Sequence, residues 1–325
     1  MSDELRSQTV LLAGATGYIG KYVCETLLTR GFRVLSLGRS PTEAEGHQNL
    51  EHLSIDLCSN KVMEELAQSD RHIDSVISCL GSRAGGRRDS WAVEFGANQN
   101  LLSLAPKMGA KNFVLLSAIC VQKPKLEFQF AKIAFENELI ASGMTYSIVR
   151  PTAYFKSLAG QIKKLKAGKA FVIFGKGVGT ACKPISAQDL SDYICDCLED
   201  SERYNKVLPI GGPGPPITSV EQGEMLFRLL NKKPKFARVP STMFRAISVM
   251  MAPLALISEK ISDLREFVHI GHYYATESML FWDETSQKYS SDKTPEYGHD
   301  SLENFYREVL KSGLGDHKLG DHKLF

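Results

Sequence analysis

The stretch TVLLAGATGYIG, residues 9–20, constrains the fold of this chain more than any other. A short apolar strand passes directly into Gly14, Gly17 and Gly20, and an amphipathic helix reads on from Gly17 to Arg30. Glycine permits the tight turn, admits the backbone close to a pyrophosphate and lets helix and strand pack closely, while the helix N-terminus presents amide donors to the anion. A glycine triplet alone carries little. Its place between strand and helix, at the start of a long α/β pattern, carries much more. The stretch predicts dinucleotide binding, with Gly14, Thr16, Gly17, Tyr18, Ile19 and Gly20 around the cofactor.

The pattern continues with the strands RVLSLGR, DSVISCLG, NFVLLSA and YSIVRPTA, separated by amphipathic segments around residues 61–67, 94–108 and 128–141. Strands alternating with helices in this way predict an α/β, doubly wound parallel sheet, a Rossmann domain over residues 1–160. SAQDLSDYICDCLED reads as a helix with its N-cap at Ser186 and KVLPIGG as a strand, so residues 184–212 are expected to return to that domain. GGPGPP, residues 211–216, breaks both periodicities. Helices expected over 219–230, 241–261 and 301–310 would build a smaller, mainly helical C-terminal substrate-binding lobe within 161–325.

The composition suits a small-molecule enzyme. A net charge of +2 on 325 residues argues against nucleic acid as a partner. Seven cysteines without a C-x-x-C pair, behind a start, MSDELRSQ, with no apolar signal core, predict reduced thiols in the cytoplasm and neither disulfides nor zinc. The apolar run Ala246–Ile257 is too short to span a bilayer and contains Pro253, yet it can touch a membrane or an oily ligand. The repeat GDHKLGDHKLF, with His317 and His322, reads as a solvated tail and not as a metal site.

Arg39 and Ser40 end the second strand, where an acidic residue would favour NAD; a guanidinium there pairs with the 2′-phosphate of NADP, so NADPH is the expected cofactor. SIDLCS places Asp56 and Leu57 after a further strand, the third of six, expected between RVLSLGR and DSVISCLG, where they suit the adenine. Cys79, Leu80 and Gly81 follow the fourth and can pass beneath the nicotinamide half.

GATGYIG, Arg39, Ser117 after the fifth strand, Lys132 on the next helix and RPTAYF after the sixth together resemble the atypical short-chain dehydrogenase/reductases of the isoflavone-reductase-like branch. The resemblance implies cofactor contacts from Ser117, Lys132, Pro151, Thr152 and Ala153. The chain departs from the wider family's Tyr-x-x-x-Lys at Phe128, where the phenol that protonates a reduced carbonyl would stand. CVQKPKLEFQFAKIAFENEL, IVRPTAYFKSLAGQ, LPIGGPGPP and the ending HKLF resemble, more narrowly, the 8-vinyl reductases of chlorophyll and bacteriochlorophyll biosynthesis.

That narrower resemblance implies NADPH-dependent reduction of the 8-vinyl group of a magnesium tetrapyrrole, divinyl chlorophyllide a or divinyl protochlorophyllide a, to ethyl. It also accounts for Phe128. Carbonyl reduction builds charge on one oxygen, whereas the charge from hydride addition to a conjugated vinyl group spreads over the macrocycle. Lys132 and Tyr154 are then the catalytic candidates. Phe128 and Phe155, with Phe130, are candidates for the apolar walls of the cleft, and Arg83 and Arg88, with Arg87, for closing over the cofactor phosphates or pairing a propionate carboxylate. Two alternatives stand beside this reading: an NADPH reductase of another conjugated apolar substrate such as a quinone, and a non-enzymatic NADPH-binding redox sensor or assembly subunit of a membrane complex. The expected location is cytoplasmic, with at most peripheral contact with a photosynthetic membrane.

Overall fold

The computed structural model describes residues 8–82 and 85–313, with the backbone alone for residues 60–63. Arg83, His317, His322 and the terminal HKLF lie outside the described residues. The strands of the first half are β1 (Thr9–Ala13), β2 (Arg33–Gly38), β3 (Leu50–Ser54), β4 (Ser75–Ser78), β5 (Asn112–Leu116) and β6 (Thr145–Pro151). Between them run α1 (Tyr18–Thr29), α2 (Asn60–Ala67), α3 (Arg87–Ser90), α4 (Asn98–Leu104) and α5 (Glu127–Ala141). The second half contains α6 (Ile162–Lys166), β7 (Phe171–Phe174), β8 (Ala181–Cys182), α7 (Ala187–Asp196), β9 (Lys206–Ile210) and β10 (Ile217–Thr218). It ends with α8 (Ser219–Leu229), β11 (Phe236–Val239), α9 (Thr242–Ala255), α10 (Glu259–Thr276) and α11 (Leu302–Ser312).

Seven strands form one sheet in the order β3-β2-β1-β4-β5-β6-β9, with every neighbouring pair parallel. Alternation along β1 builds both faces. Val10 and Leu12 pack with Val23, Leu27 and Leu190 on the α1 and α7 side, while Leu11 and Ala13 pack with Leu101, Phe135 and Leu139 on the α4 and α5 side. Strand order reverses between β1 and β4, and a crevice at that switch point, at the carboxyl ends of the strands, is where open α/β sheets take their ligands.

The sheet reaches beyond β6. β9 pairs with it from Ser147↔Lys206 to Pro151↔Ile210, and α7 lies against α1 through Thr26 and Ser191, whose hydroxyls are 2.9 Å apart. The second lobe gathers around Phe155, Phe171, Leu226, Phe227 and Tyr306. It also contains the parallel pair β7–β11.

Two helical segments differ from expectation. The helix expected over residues 94–108 is a wide π-helical turn at Trp91–Ala97, then α4, then a tight 3₁₀ turn at Ala105–Met108. The helix expected over 241–261 stops at Ala255, because the chain turns and Ser258 is extended (φ −131°, ψ 118°); α10 then returns antiparallel to α9. α10 runs through Gly271, where a Cβ would lie 2.8 Å from Phe244 Cε1. Glycine there admits the neighbouring helix instead of ending its own. No helix of the described residues is long and apolar enough to cross a membrane.

Candidate active site at the strand ends

The turn after β1 needs its glycines. Gly14 has φ +83°, and a Cβ on it would lie 2.7 Å from the Cys79 carbonyl oxygen; a Cβ on Gly20 would lie 2.0 Å from the carbonyl oxygen of Gly14. Gly17 donates its amide to Gly14 O at 2.9 Å and starts α1 with no side-chain cap, so the first amides of the helix stay available to an anion. Gly38 and Gly81 face open space, the nearest atom to a Cβ at Gly81 being Glu94 Oε1 at 3.9 Å. A nicotinamide dinucleotide fits this arrangement of bare backbone.

Around the cradle, Thr16, Arg39, Ser40 and Asp56 are exposed. Arg39 and Asp56 share one corner, since both bear on the Cys58 thiol, which burial and the Asp56 carboxylate push up against the pull of Arg39. Leu57 is buried in the core, where its carbonyl accepts from Asn100 Nδ2 at 2.8 Å, so only its backbone is left for a ligand. Leu80 and Ile19 likewise anchor in the core. The Cys79 thiol is pushed up to about 12 by burial, against the lowering influence of Lys132, and stays a thiol.

The chemical corner is built by Lys132 and a residue absent from the sequence-based candidates, Glu94. Lys132 Nζ lies 2.7 Å from Glu94 Oε2, with side chains 11% and 4% exposed, and donates weakly to the Leu116 carbonyl at 3.5 Å. Glu94 Oε1 accepts the Ser82 amide at 2.9 Å, which ties the loop after β4 to the same carboxylate. The π-helical turn at Trp91–Ala97 carries Glu94 and ends at Asn98, whose Oδ1 accepts from Ser78 Oγ at 2.5 Å. π-Turns are rare and recur at functional sites.

Tyr154 stands beside this pair. Burial holds its phenol well above the usual tyrosine value, reinforced by Cys79, Cys120, Glu94 and Tyr18. Its ring centroid is 6.2 Å from that of Tyr18, and Lys156 Nζ lies 4.4 Å over the Tyr18 ring. From the second lobe, α10 contributes Tyr274, another residue not anticipated from the sequence. Tyr274 is 37% exposed, yet burial holds its phenol well above normal, with Cys120 and Tyr154 adding to the shift. It thus lies close to Cys120 and Tyr154, partly open to solvent.

The structure separates several candidates from the corner. Phe128 packs with Cys120, Leu126 and Tyr273 at the seam of the two lobes, and Phe130 is exposed. Phe155 is 2% exposed in the core of the second lobe against Phe305, so the aromatic following Tyr154 is packing and not a cleft wall. Ser117 is buried and donates to Glu136, whose carboxylate pairs with Arg150, Nε to Oε1 at 3.1 Å. Its hydroxyl therefore serves that network. Pro151 and Thr152 are buried, with the Thr152 hydroxyl on the Lys183 carbonyl, while Ala153 accepts the Ile185 amide at 2.9 Å and packs at the lobe seam.

The glycine-rich loop stitches the lobes together. Cβ atoms on Gly85 and Gly86 would come within 2.6 Å of Ile270 Cδ1 and 2.3 Å of Asp263 Oδ1 of α10. Arg88 reaches Glu259 at 2.7 Å and Arg87 approaches Glu127 at 3.7 Å, so both described arginines point to the lobe boundary. Glu127 in turn accepts from Trp91 Nε1 at 2.9 Å and donates its amide to Glu266 Oε1 at 2.9 Å. At the far end of α10, Glu277 takes hydrogen bonds from Lys125, Tyr289 and Lys123. Burial works against its charge, but these bonds hold the carboxyl below its usual range.

Residues 14–201 match the NAD(P)H-binding family. The chloroplastic divinyl chlorophyllide a 8-vinyl-reductase of Zea mays is 47% identical over 98% of this chain and 83% of its own length. The protein of the same name from Arabidopsis thaliana is 45% identical over 96% of this chain and 79% of its own. An NADPH-dependent quinone oxidoreductase from Escherichia coli, solved with NADPH, shares the fold with a TM-score of 0.67 at 16% identity, covering 93% of this chain and 99% of that one.

Proposed function

The chain belongs to the divinyl chlorophyllide a 8-vinyl-reductase family, and from that premise we propose that it reduces the 8-vinyl group of divinyl chlorophyllide a, or of divinyl protochlorophyllide a, to ethyl with NADPH. The step belongs to chlorophyll or bacteriochlorophyll biosynthesis. The likeness over nearly the whole chain carries this reading. The site adds chemical sense to it, because Phe128 leaves Lys132 without the phenol four residues before it that carbonyl reduction uses.

When bound, NADPH supplies the hydride. Arg39 offers its 2′-phosphate a guanidinium, and the amides of the Gly14–Gly17 turn and of the first turn of α1 receive the pyrophosphate. Glu94 holds Lys132 in one place, from which the ammonium binds the nicotinamide ribose and lends positive charge to the developing carbanion. Tyr154 keeps its proton at physiological pH, because burial holds its phenol up, and gives it to the carbon beside the one that takes hydride. Phe128 and Tyr274 supply apolar surface for the macrocycle where the lobes meet. The protein works in the cytoplasm with at most peripheral contact with a photosynthetic membrane.

The test is spectral. Purified protein with NADPH and divinyl chlorophyllide a is expected to give a small blue shift of the Soret band and a product two hydrogens heavier. Tight NADPH binding with no shift, for either the chlorophyllide or the protochlorophyllide, would instead favour the non-enzymatic reading.

A further inference from the structure

α9 carries large apolar side chains on the side that an ordinary surface helix keeps polar. A helix packed on a protein turns its apolar stripe inward. Here Ser248 is the one fully buried residue of α9, and its contacts with α10 are polar: Oγ lies 2.5 Å from His269 Nε2 and accepts from Arg265 Nε at 3.1 Å. A cavity of about 170 Å³ opens beside Ser248, His269 and His272, so this seam is not a tight apolar one. Phe244 packs on α10 at Gly271, and Ile247 and Met251 are half-buried, but a second apolar stripe faces outward. Met243, Val249, Met250 and Leu254 follow helical spacing along the exposed side, and the stripe continues round the α9–α10 turn to Leu256 and Ile257, which are 89% and 85% exposed.

We propose that this stripe docks the protein on an anionic lipid bilayer, with Leu256 and Ile257 entering the boundary between headgroups and acyl chains. The inference deepens the membrane contact of the proposed function by naming the surface that makes it. Two observations favour lipid over a second copy of the chain. The most exposed side chains sit at the extremity of a helical hairpin, a narrow wedge that suits a fluid bilayer better than a flat, self-complementary interface. The stretch of chain that includes the stripe is also rich in positive charge. Between Lys232 and Arg265 the chain carries seven Lys or Arg and two Asp or Glu, against 39 and 37 in the whole chain. Glu259, beside the wedge, is paired with Arg88 at 2.7 Å, while Arg245 and Lys260 stand exposed near the two ends of the stripe. An apolar stripe framed by cations is the pattern of interfacial helices on anionic membranes.

The placement also suits the proposed substrate. Ile270 and Tyr273 of α10 pack on Ile119 and Cys120 at the lobe seam, and Tyr274 lies near Tyr154, so the helix that follows the wedge also reaches the site. Docking there brings the cleft close to the layer in which an apolar pigment resides.

The experiment is flotation of the full chain with phosphatidylcholine vesicles, neutral or containing about 30 mol% anionic lipid. Wild-type protein is expected to float with the anionic vesicles and to be released by salt. The double substitution Leu256→Ser/Ile257→Ser is expected to lower the floated fraction at least about tenfold, and Lys260→Glu to weaken binding and its salt dependence. Wild-type protein that stays in the soluble fraction, or a double variant that floats like wild type, would overturn the proposal. So would light scattering that finds a dimer abolished by the double substitution. Turnover of detergent-dispersed pigment separates this inference from the functional reading: failure of the activity would leave flotation intact, and the double variant is expected to keep wild-type turnover.

Discussion

The turn after β1 and the α9–α10 hairpin obey opposite rules. At the turn, almost every feature is a backbone requirement: Gly14 and Gly20 sit where a single Cβ would strike backbone atoms, and Val10, Leu11, Leu12 and Ala13 behind them are fully buried. In the hairpin the backbone is ordinary helix, the one fully buried position of α9 is a serine, and Met250, Leu256 and Ile257 face solvent. The first region is shaped by how close chain and cofactor must come. The second is shaped by what lies outside the protein, and its sequence makes sense only with that environment included.

The comparison is broken most severely at Gly20. Gly20→Val is expected to cost on the order of 3 kcal/mol or to prevent folding, because the nearest atom is immovable backbone; thermal unfolding measures it. Gly38→Ala, which meets nothing within 4 Å, is the control and should unfold nearly as wild type.

Next comes the buried pair. Lys132→Met leaves Glu94 buried and unpaired, and is expected to destabilise by about 3–5 kcal/mol while lowering kcat about 10²-fold or more. Adding Glu94→Gln should restore most of the stability and none of the activity. A double variant that regains turnover would show that the pair is structural only. Glu94→Gln alone should lower kcat, move its pH profile and leave KM for NADPH nearly unchanged.

Arg39→Ala tests the cofactor preference. It is expected to weaken NADPH binding about 10- to 100-fold, with little effect on NADH, in a fluorescence titration. Equal losses for both would remove the 2′-phosphate contact.

Smaller still is the clamp at the end of α10. Glu277 has its folded-state pKa held below the usual carboxylate value, so its contribution to stability is present above about pH 4.3 and disappears as pH falls through the depressed value. Glu277→Gln is expected to lose on the order of 1 kcal/mol at pH 7 and to flatten the acid limb of Tm against pH. The least effect on stability belongs to the wedge: Leu256→Ser should shift it by no more than about 0.5 kcal/mol, since the side chain is 89% exposed.

The same contrast sets what could be read from the sequence. The doubly wound parallel sheet was legible because β1, β2, β4 and β5 are short apolar runs separated by amphipathic helices, and the cofactor turn was legible because its glycines are local. Glu94 was not, because it became a site residue only when a π-turn aimed it at Lys132, 38 positions along the chain. Unusual helical windings leave no periodic trace, though a lone acidic residue on an otherwise apolar helix face, as in WAVEFGA, was a usable signal. Tyr274 was missed because no helix was expected between residues 261 and 301, and only tertiary packing brings α10 near Tyr154. Phe155 was over-read for the converse reason: the residue after Tyr154 points the other way, into the second lobe.

The most direct measurement is isotopic. Protein, divinyl chlorophyllide a and NADPH carrying deuterium on the transferable position of its nicotinamide would be incubated, and the product analysed by mass and by NMR. The account predicts one deuterium from the cofactor and one hydrogen from solvent in the new ethyl group, with Lys132→Met losing both together. A product with both hydrogens from solvent, or no reduced product while NADPH stays bound, would contradict it.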